Sequence, residues 1–191
     1  SMDLCHEGGT APQCGRPTQA QGIIQAMNAN CGEQSVWVIQ AWQNNPASDL
    51  LNAVPKGRLL VLDLFAENTP RWGRFGQHDF VYCMLLNFGG RTGLHGRFDN
   101  LVNNYNNVLA AKPSQLKGIG ATPEGIETSP VMYDALFELP WTTIDKTQWV
   151  KEYATMRYGQ ENRAAQSAMQ KLMGSVYNCP GGQQGTSEGV I

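Results

Sequence analysis

The sequence is short of charge. Lys, Arg, Asp and Glu make up 16% of its 191 residues, against about 25% in an average domain, and the formal net charge is only −2. With a pI near 5.9, nothing in the chain favours nucleic acid or an anionic membrane surface as partner. Long apolar runs are also missing. None approaches the roughly 18 residues of a membrane span, and Asp63 interrupts the run "LLVLDLF". Five cysteines (Cys5, Cys14, Cys31, Cys83, Cys179) form no C-x-x-C pair. Their odd number leaves at least one unpaired within the chain, argues against zinc and leaves the redox compartment open. The stretch "HEGG" at 6–9 is not H-E-x-x-H, so no metal constellation and no cofactor are expected. Neither a signal-peptide pattern nor an N-x-S/T sequon is legible.

What remains is a globular composition, 41% hydrophobic. Asn, Gln and Gly take the place of the missing charges. Amides beside aromatics suit sugar recognition, and compositional drift explains them equally well.

The periodicities alternate. A helix is expected over 18–30, with Ile23, Ile24 and Met27 as its apolar stripe, then a short strand over 35–42. A short helix follows over 46–54, with Pro46 near its start. A buried strand over 57–65, a third over 79–88, a helix over 97–112 and a fourth strand over 116–125 continue the pattern. Pro130 opens a further helix, "VMYDALFEL". Strands alternating with helices imply β/α units and a parallel sheet. Polar residues recur where strands end: Gln40 and Trp42, Asp63 and Glu67, Asn87, Glu124. Loops at the C-terminal edge of such a sheet are where active sites form.

From Pro140 the texture changes. Helices are expected over 143–159, stopped by Gly159, and over 161–178, with Ala165, Ala168, Leu172 and Val176 on one face. Two helices without a strand between them suggest a domain boundary near 141, giving 1–140 and 141–191.

Two glutamates stand out. Glu7 lies in "DLCHEGG". Glu124 lies between Pro123 and Gly125, a setting that holds a carboxylate out from a sheet edge. Glycoside hydrolysis commonly uses two carboxylates across one bond, drawn from different strand ends. Any chain of this size has glutamates, so composition alone makes this a weak signal.

Six stretches make it stronger: "DLCHEGG", "VWVIQAW", "GRLLVLDLFAENTPRW", "FVYCMLLNFGGRTGLHG", "GIGATPEGIETSPVMYDALFELPW" and "SVYNCPG". In this order and spacing the chain resembles the α-N-acetylglucosaminidases, glycoside hydrolase family 89. The resemblance implies an α/β fold: the C-terminal half of a (β/α)₈ TIM-type barrel, followed by helices of an all-α domain. It implies a retaining exo-glycosidase that removes terminal α-linked N-acetylglucosamine from glycans. Glu7 matches the family's general acid/base, which needs a raised pKa to hold its proton, and Glu124 matches its nucleophile. Gln40, Trp42, Glu67, Tyr82, Cys83 and Asn87 are candidates to line the sugar site, with the Trp42 indole against a sugar face. Packing and loop-buttressing roles remain open for each of them, and for Asp63 both the binding of sugar hydroxyls and the buttressing of loops are open. His6 reads as a loop or supporting residue, and His95 is ambiguous.

Family members are several times longer. The chain is therefore expected to lack the N-terminal half of the enzyme, and self-association could cover the exposed sheet. A secreted or bacterial periplasmic location is expected over a lysosomal one. The alternatives are a non-catalytic carbohydrate-binding or structural fragment, and a retaining glycosidase for another N-acetylhexosamine.

Overall fold

The computed structural model describes residues 17–89, 94–111, 114–125 and 129–179. Helix α1 (Pro17–Cys31) leads into β1 (Trp37–Ala41), α2 (Ser48–Ala53) and β2 (Leu59–Asp63). After a short 3₁₀ turn at Trp72–Arg74 come β3 (Asp79–Met84), α3 (Phe98–Ala111) and β4 (Leu116–Ala121). Helices α4 (Pro130–Glu138), α5 (Lys146–Tyr158) and α6 (Arg163–Met173) complete the order.

The strands form one sheet in the order β1-β2-β3-β4. β1 pairs parallel with β2, Trp37 opposite Leu59 and Ala41 opposite Asp63. β2 pairs parallel with β3, Asp63 opposite Tyr82. Neighbours in sequence are neighbours in space, joined by crossovers too long for hairpins, as β/α units require. Alternation sets one face. Trp37, Ile39, Ala41, Leu59, Val61, Phe80 and Tyr82 are buried, while Val38, Leu60, Leu62 and Val81 on the other face are half-buried.

The chain divides into two compact units. One comprises 1–83 and 107–120, the other 84–106 and 121–191. The boundary expected near 141 falls inside the second.

The second unit is organised by a return of the chain onto itself. Arg97 and Asn178 form an isolated antiparallel bridge. Phe98 N–H donates to the Tyr177 carbonyl at 3.0 Å, and Cys179 N–H donates to that of Gly96 at 3.0 Å. Asp99 N–H donates to Asn178 Oδ1 at 3.0 Å, and Asn178 Nδ2 donates back to Asp99 Oδ2 at 2.8 Å. Lys146 Nζ reaches Asp99 Oδ1 at 2.9 Å. Gly96 fits because it has no side chain: a Cβ there would lie 2.6 Å from Met132 Sδ and 2.9 Å from the Tyr177 carbonyl oxygen. Phe98 packs on Trp149 at a tilt of 45° and Trp149 stacks on Tyr153, with ring centres 5.2 and 5.1 Å apart.

Three expected elements end four or five residues early. β3 stops at Met84 because Leu86 adopts a left-handed φ of 69° and Asn87 N–H turns back to the Leu85 carbonyl at 2.9 Å. β4 stops at Ala121, just before Thr122 N–H takes the Met84 carbonyl at 3.0 Å. α6 stops at Met173, since 177–179 are recruited to the bridge. Its inward face is therefore Ala165, Met169, Leu172 and Met173, and the expected Ala168 is exposed. α5 ends as expected, where Gly159 closes it with a left-handed φ of 73°, but begins at Lys146 instead of 143, because Asp145 caps it by accepting from Gln148 N–H at 2.8 Å. No described helix is long and apolar enough to cross a membrane.

Candidate active site

The expected site residues fall on both units, and each set is placed by its own strand ends. In the first unit, Gln40 is exposed on β1, opposite Leu62. Trp42 follows the end of β1 and is half-buried. Its ring lies 6.1 Å from that of Phe65, tilted by 47°.

The Trp42 ring carries a cation. The Arg71 guanidinium carbon lies 5.8 Å from its centre. Arg71 is held on three sides: Nε donates to the Gln43 carbonyl at 3.1 Å, Nη1 to that of Thr69 at 3.0 Å, and its backbone N–H to Asp63 Oδ2 at 2.8 Å. Trp72 N–H donates to the same Asp63 oxygen at 2.9 Å.

Asp63 thus anchors the β2–β3 connection. It closes β2 and is fully buried, and its Oδ1 has no hydrogen-bond partner. Burial pushes its carboxyl up to about 6, against the two backbone N–H bonds and the Arg71 charge, which pull it down. Of the two roles open to Asp63 in the sequence, the loop-buttressing one is what the geometry displays.

Glu67, Tyr82 and Cys83 are all buried, at 1%, 0% and 1% exposure. Burial raises the Cys83 thiol to about 12, helped by the charges of Asp63 and Glu67. At neutral pH it is a thiol, not a thiolate, so it is a packing group rather than a nucleophile. It packs against a glycine: a Cβ at Gly120 would lie 2.9 Å from Cys83 Sγ.

In the second unit, Asn87 is buried just beyond the turn at Leu86, two residues from Gly89. Gly89 N–H donates to Glu124 Oε2 at 2.9 Å. The strand β4 ends at Ala121, and "TPEG" carries Glu124 out beyond it, exposed and with its carboxylate oriented by that one backbone bond. His95 is buried, at 1% exposure. Glu7 and His6 lie outside the described residues. Among the described residues no group of three or more His, Cys, Asp or Glu is placed to hold a metal.

Two participants were not foreseen from sequence. Arg71 had a signal in "TPRW", where a proline-led turn places a cation beside an aromatic, but its target is 29 positions upstream. The Gly89 amide is a backbone group and leaves no signature beyond a glycine.

Comparison with known proteins gives a consistent answer. The family model "Alpha-N-acetylglucosaminidase (NAGLU) tim-barrel domain" matches residues 1–143, and that of the corresponding C-terminal domain matches 149–191. Human alpha-N-acetylglucosaminidase is 38% identical over 174 residues, covering 83% of this chain and 23% of that protein. A family 89 glycoside hydrolase from Clostridium perfringens, solved with 2-acetamido-1,2-dideoxynojirmycin, superimposes with a TM-score of 0.86 at 32% identity. The match covers 98% of this chain and 22% of that one. A form of the Clostridium perfringens enzyme with two glutamates changed to glutamine, solved with its substrate GlcNAc-alpha-1,4-galactose, gives 0.82 at 30% identity, over 96% of this chain and 21% of that one. The chain thus spans less than a quarter of the length of these relatives. Its parallel strands and following helices are those of a TIM-barrel domain running into the C-terminal domain, and the chain belongs to the α-N-acetylglucosaminidase family, glycoside hydrolase family 89.

Proposed function

We propose that the chain carries the two catalytic carboxylates of a retaining exo-α-N-acetylglucosaminidase, Glu124 as nucleophile and Glu7 as general acid/base. The observation that supports this most is the setting of Glu124. It is an exposed carboxylate just past a parallel strand, with one oxygen fixed by the Gly89 amide. A single neutral donor steers the carboxylate without neutralising it, and leaves the other oxygen for attack at the anomeric carbon. Glu7 then gives its proton to the departing oxygen and removes one from water in the second step. Retention requires the two carboxyls to stand roughly 5–5.5 Å apart.

The spacing in a relative supports the pairing. The two substituted glutamates of the substrate-bound Clostridium perfringens enzyme are separated in its sequence by an interval one position longer than that between Glu7 and Glu124 here. Changing carboxylates to amides while retaining bound substrate is what removal of a nucleophile and an acid would do. Trp42, with its orientation fixed by Arg71 and Phe65, offers an aromatic face to the sugar, and Gln40 an exposed amide.

A second reading is favoured by one fact: the chain spans only 20–23% of its relatives. On this reading it is a non-catalytic carbohydrate-binding or structural piece of such an enzyme. One assay separates the two. Hydrolysis of an aryl α-N-acetylglucosaminide by this chain, abolished by Glu7→Gln and by Glu124→Gln, establishes the two-carboxylate reading. A folded but inert chain that binds N-acetylglucosamine selects the second.

A further inference from the structure

The turn that carries Trp42 is strained, and the next loop holds it. Asn45 N–H donates to the Trp42 carbonyl at 2.8 Å, which closes a turn over 42–45. Its second residue, Gln43, has a left-handed φ of 51°. That conformation suits glycine or asparagine and costs free energy for glutamine. A strained residue keeps its conformation only where its surroundings hold it there. Here Arg71 Nε donates to the Gln43 carbonyl at 3.1 Å, and Arg74 Nη1 adds a long bond of 3.4 Å to the same oxygen.

Arg71 is fixed at its other end. Its Nη1 donates to the Thr69 carbonyl at 3.0 Å, and its backbone N–H sits on the buried Asp63 carboxylate at 2.8 Å. The planar fork of a guanidinium can serve two carbonyls and still stand over an aromatic ring, which a lysine ammonium cannot do equally well. One guanidinium thus ties the backbone after β1 to that after β2, with its carbon 5.8 Å from the centre of the Trp42 ring. Arg71 acts on Trp42 twice, through the backbone that carries it and across the ring. The ring is half-buried, so part of it stays open to a ligand.

We propose that Arg71 is a positioning residue of the sugar site: without touching substrate, it sets the affinity for N-acetylglucosamine by holding Trp42 in its binding orientation. The proposal rests on the reading above that Trp42 meets the sugar, and adds that this ring does not support itself. Loss of Arg71 frees Gln43 to return to a negative φ, and the indole moves with its backbone. An arginine that served the fold alone would change unfolding and leave both the ring and the affinity of the folded chain as they are.

The test is made on the full chain, ¹⁵N-labelled at tryptophan, with N-acetylglucosamine as probe. Affinity is read from the sugar's own proton signals, and the ring from the Trp42 indole N–H. Trp42→Ala is expected to weaken binding by about tenfold or more. Arg71→Met and Arg71→Gln, neither of which keeps the cation, are each expected to weaken it about fivefold and to move or broaden the Trp42 indole signal before any sugar is added. The signals of Trp141 and Trp149, in the second unit, are expected to stay in place. Arg74→Met removes the same charge but only the long bond, and is expected to leave affinity within about twofold of the parent. No binding by the parent, or equal binding by Trp42→Ala, removes Trp42 from the sugar site and the proposal with it. Affinity lost in Trp42→Ala but kept in both Arg71 variants leaves the sugar reading standing and overturns the proposal alone. An unmoved indole signal in the Arg71 variants does the same, as does a loss in Arg74→Met as large as in Arg71→Met.

Discussion

The two compact units each place an acidic side chain at or beyond the end of a parallel strand, and treat it in opposite ways. Asp63 in the first is fully buried, takes two backbone N–H groups on one oxygen and leaves the other unpartnered. Glu124 in the second is exposed and takes one N–H. The first arrangement makes a carboxylate expensive to ionise and hence a structural clamp. The second leaves it solvated and only aimed. The same residue chemistry thus serves to hold a loop in one place and is held out into solvent in the other, and burial decides which.

The units differ as well in how tightly their backbones close, and this gives the largest expected effect. Gly96→Ala in the second unit puts a methyl 2.9 Å from the Tyr177 carbonyl oxygen and 3.0 Å from its Cα. Backbone held by three hydrogen bonds cannot give way, so a loss of about 3 kcal/mol in urea unfolding is expected. Gly120→Ala in the first unit meets instead the Cys83 sulfur at 2.9 Å. That is a side chain with other rotamers, and about half the cost is expected. Equal costs for the two would mean the Cys83 pocket is as unyielding as the bridge.

Next in size is the pH dependence of Asp63. Its folded pKa of about 6 is above the ordinary 3.8, so between those values the folded chain binds the extra proton. The neutral acid is the favoured form. The contribution is fully present below pH 3.8 and is lost as pH rises through 6, an upper bound of about 3 kcal/mol for a fully buried group. Asp63→Asn keeps an acceptor for Arg71 and Trp72 but cannot ionise. The stability difference between variant and parent is expected to shift toward the variant as pH is raised from 4 to 7. A difference that stays flat over that range would show that Asp63 is not the strained group it is taken to be.

How much of this was legible in the sequence follows from the range of the interactions. The order of strands and helices came from local periodicity, and the end of α5 from Gly159; its start, set by Asp145 within one turn, was placed three residues too early. The shortened β3 depends on a left-handed Leu86, a conformation leucine does not advertise. The bridge that shortens α6 joins residues 79 to 83 positions apart. "SVYNCPG" marked the place without saying what Asn178 holds. Glu124 was legible because proline and glycine flank it, but its Gly89 donor was not. Asp63 was legible as a break in an apolar run, while Arg71, its partner in fixing Trp42, was one arginine among several.

A smaller effect tests whether the second unit's pairs are as balanced as they look. Asp99→Ala removes the acceptor of Asn178 Nδ2 and of the Lys146 ammonium. Both partners stay near water, so about 1 kcal/mol is expected rather than the several of a buried charge left alone. Lys146→Met alone should cost less than half of that. A larger share for Lys146 would place the weight on the ion pair and not on the Asp99–Asn178 exchange.

The smallest expected change in stability is at the residue proposed to matter most for turnover. Glu124→Gln keeps an oxygen for the Gly89 amide, removes a charge that is already solvated, and leaves no buried group exposed or unpaired. Its unfolding free energy is expected to stay within about 0.5 kcal/mol of the parent. Measured beside Asp63→Asn at pH 7, it divides the two carboxylates by function: one whose replacement is felt by the fold, and one whose replacement the fold does not notice. A strongly destabilised Glu124→Gln would mean that this glutamate, too, is a clamp, and the nucleophile would have to be sought elsewhere.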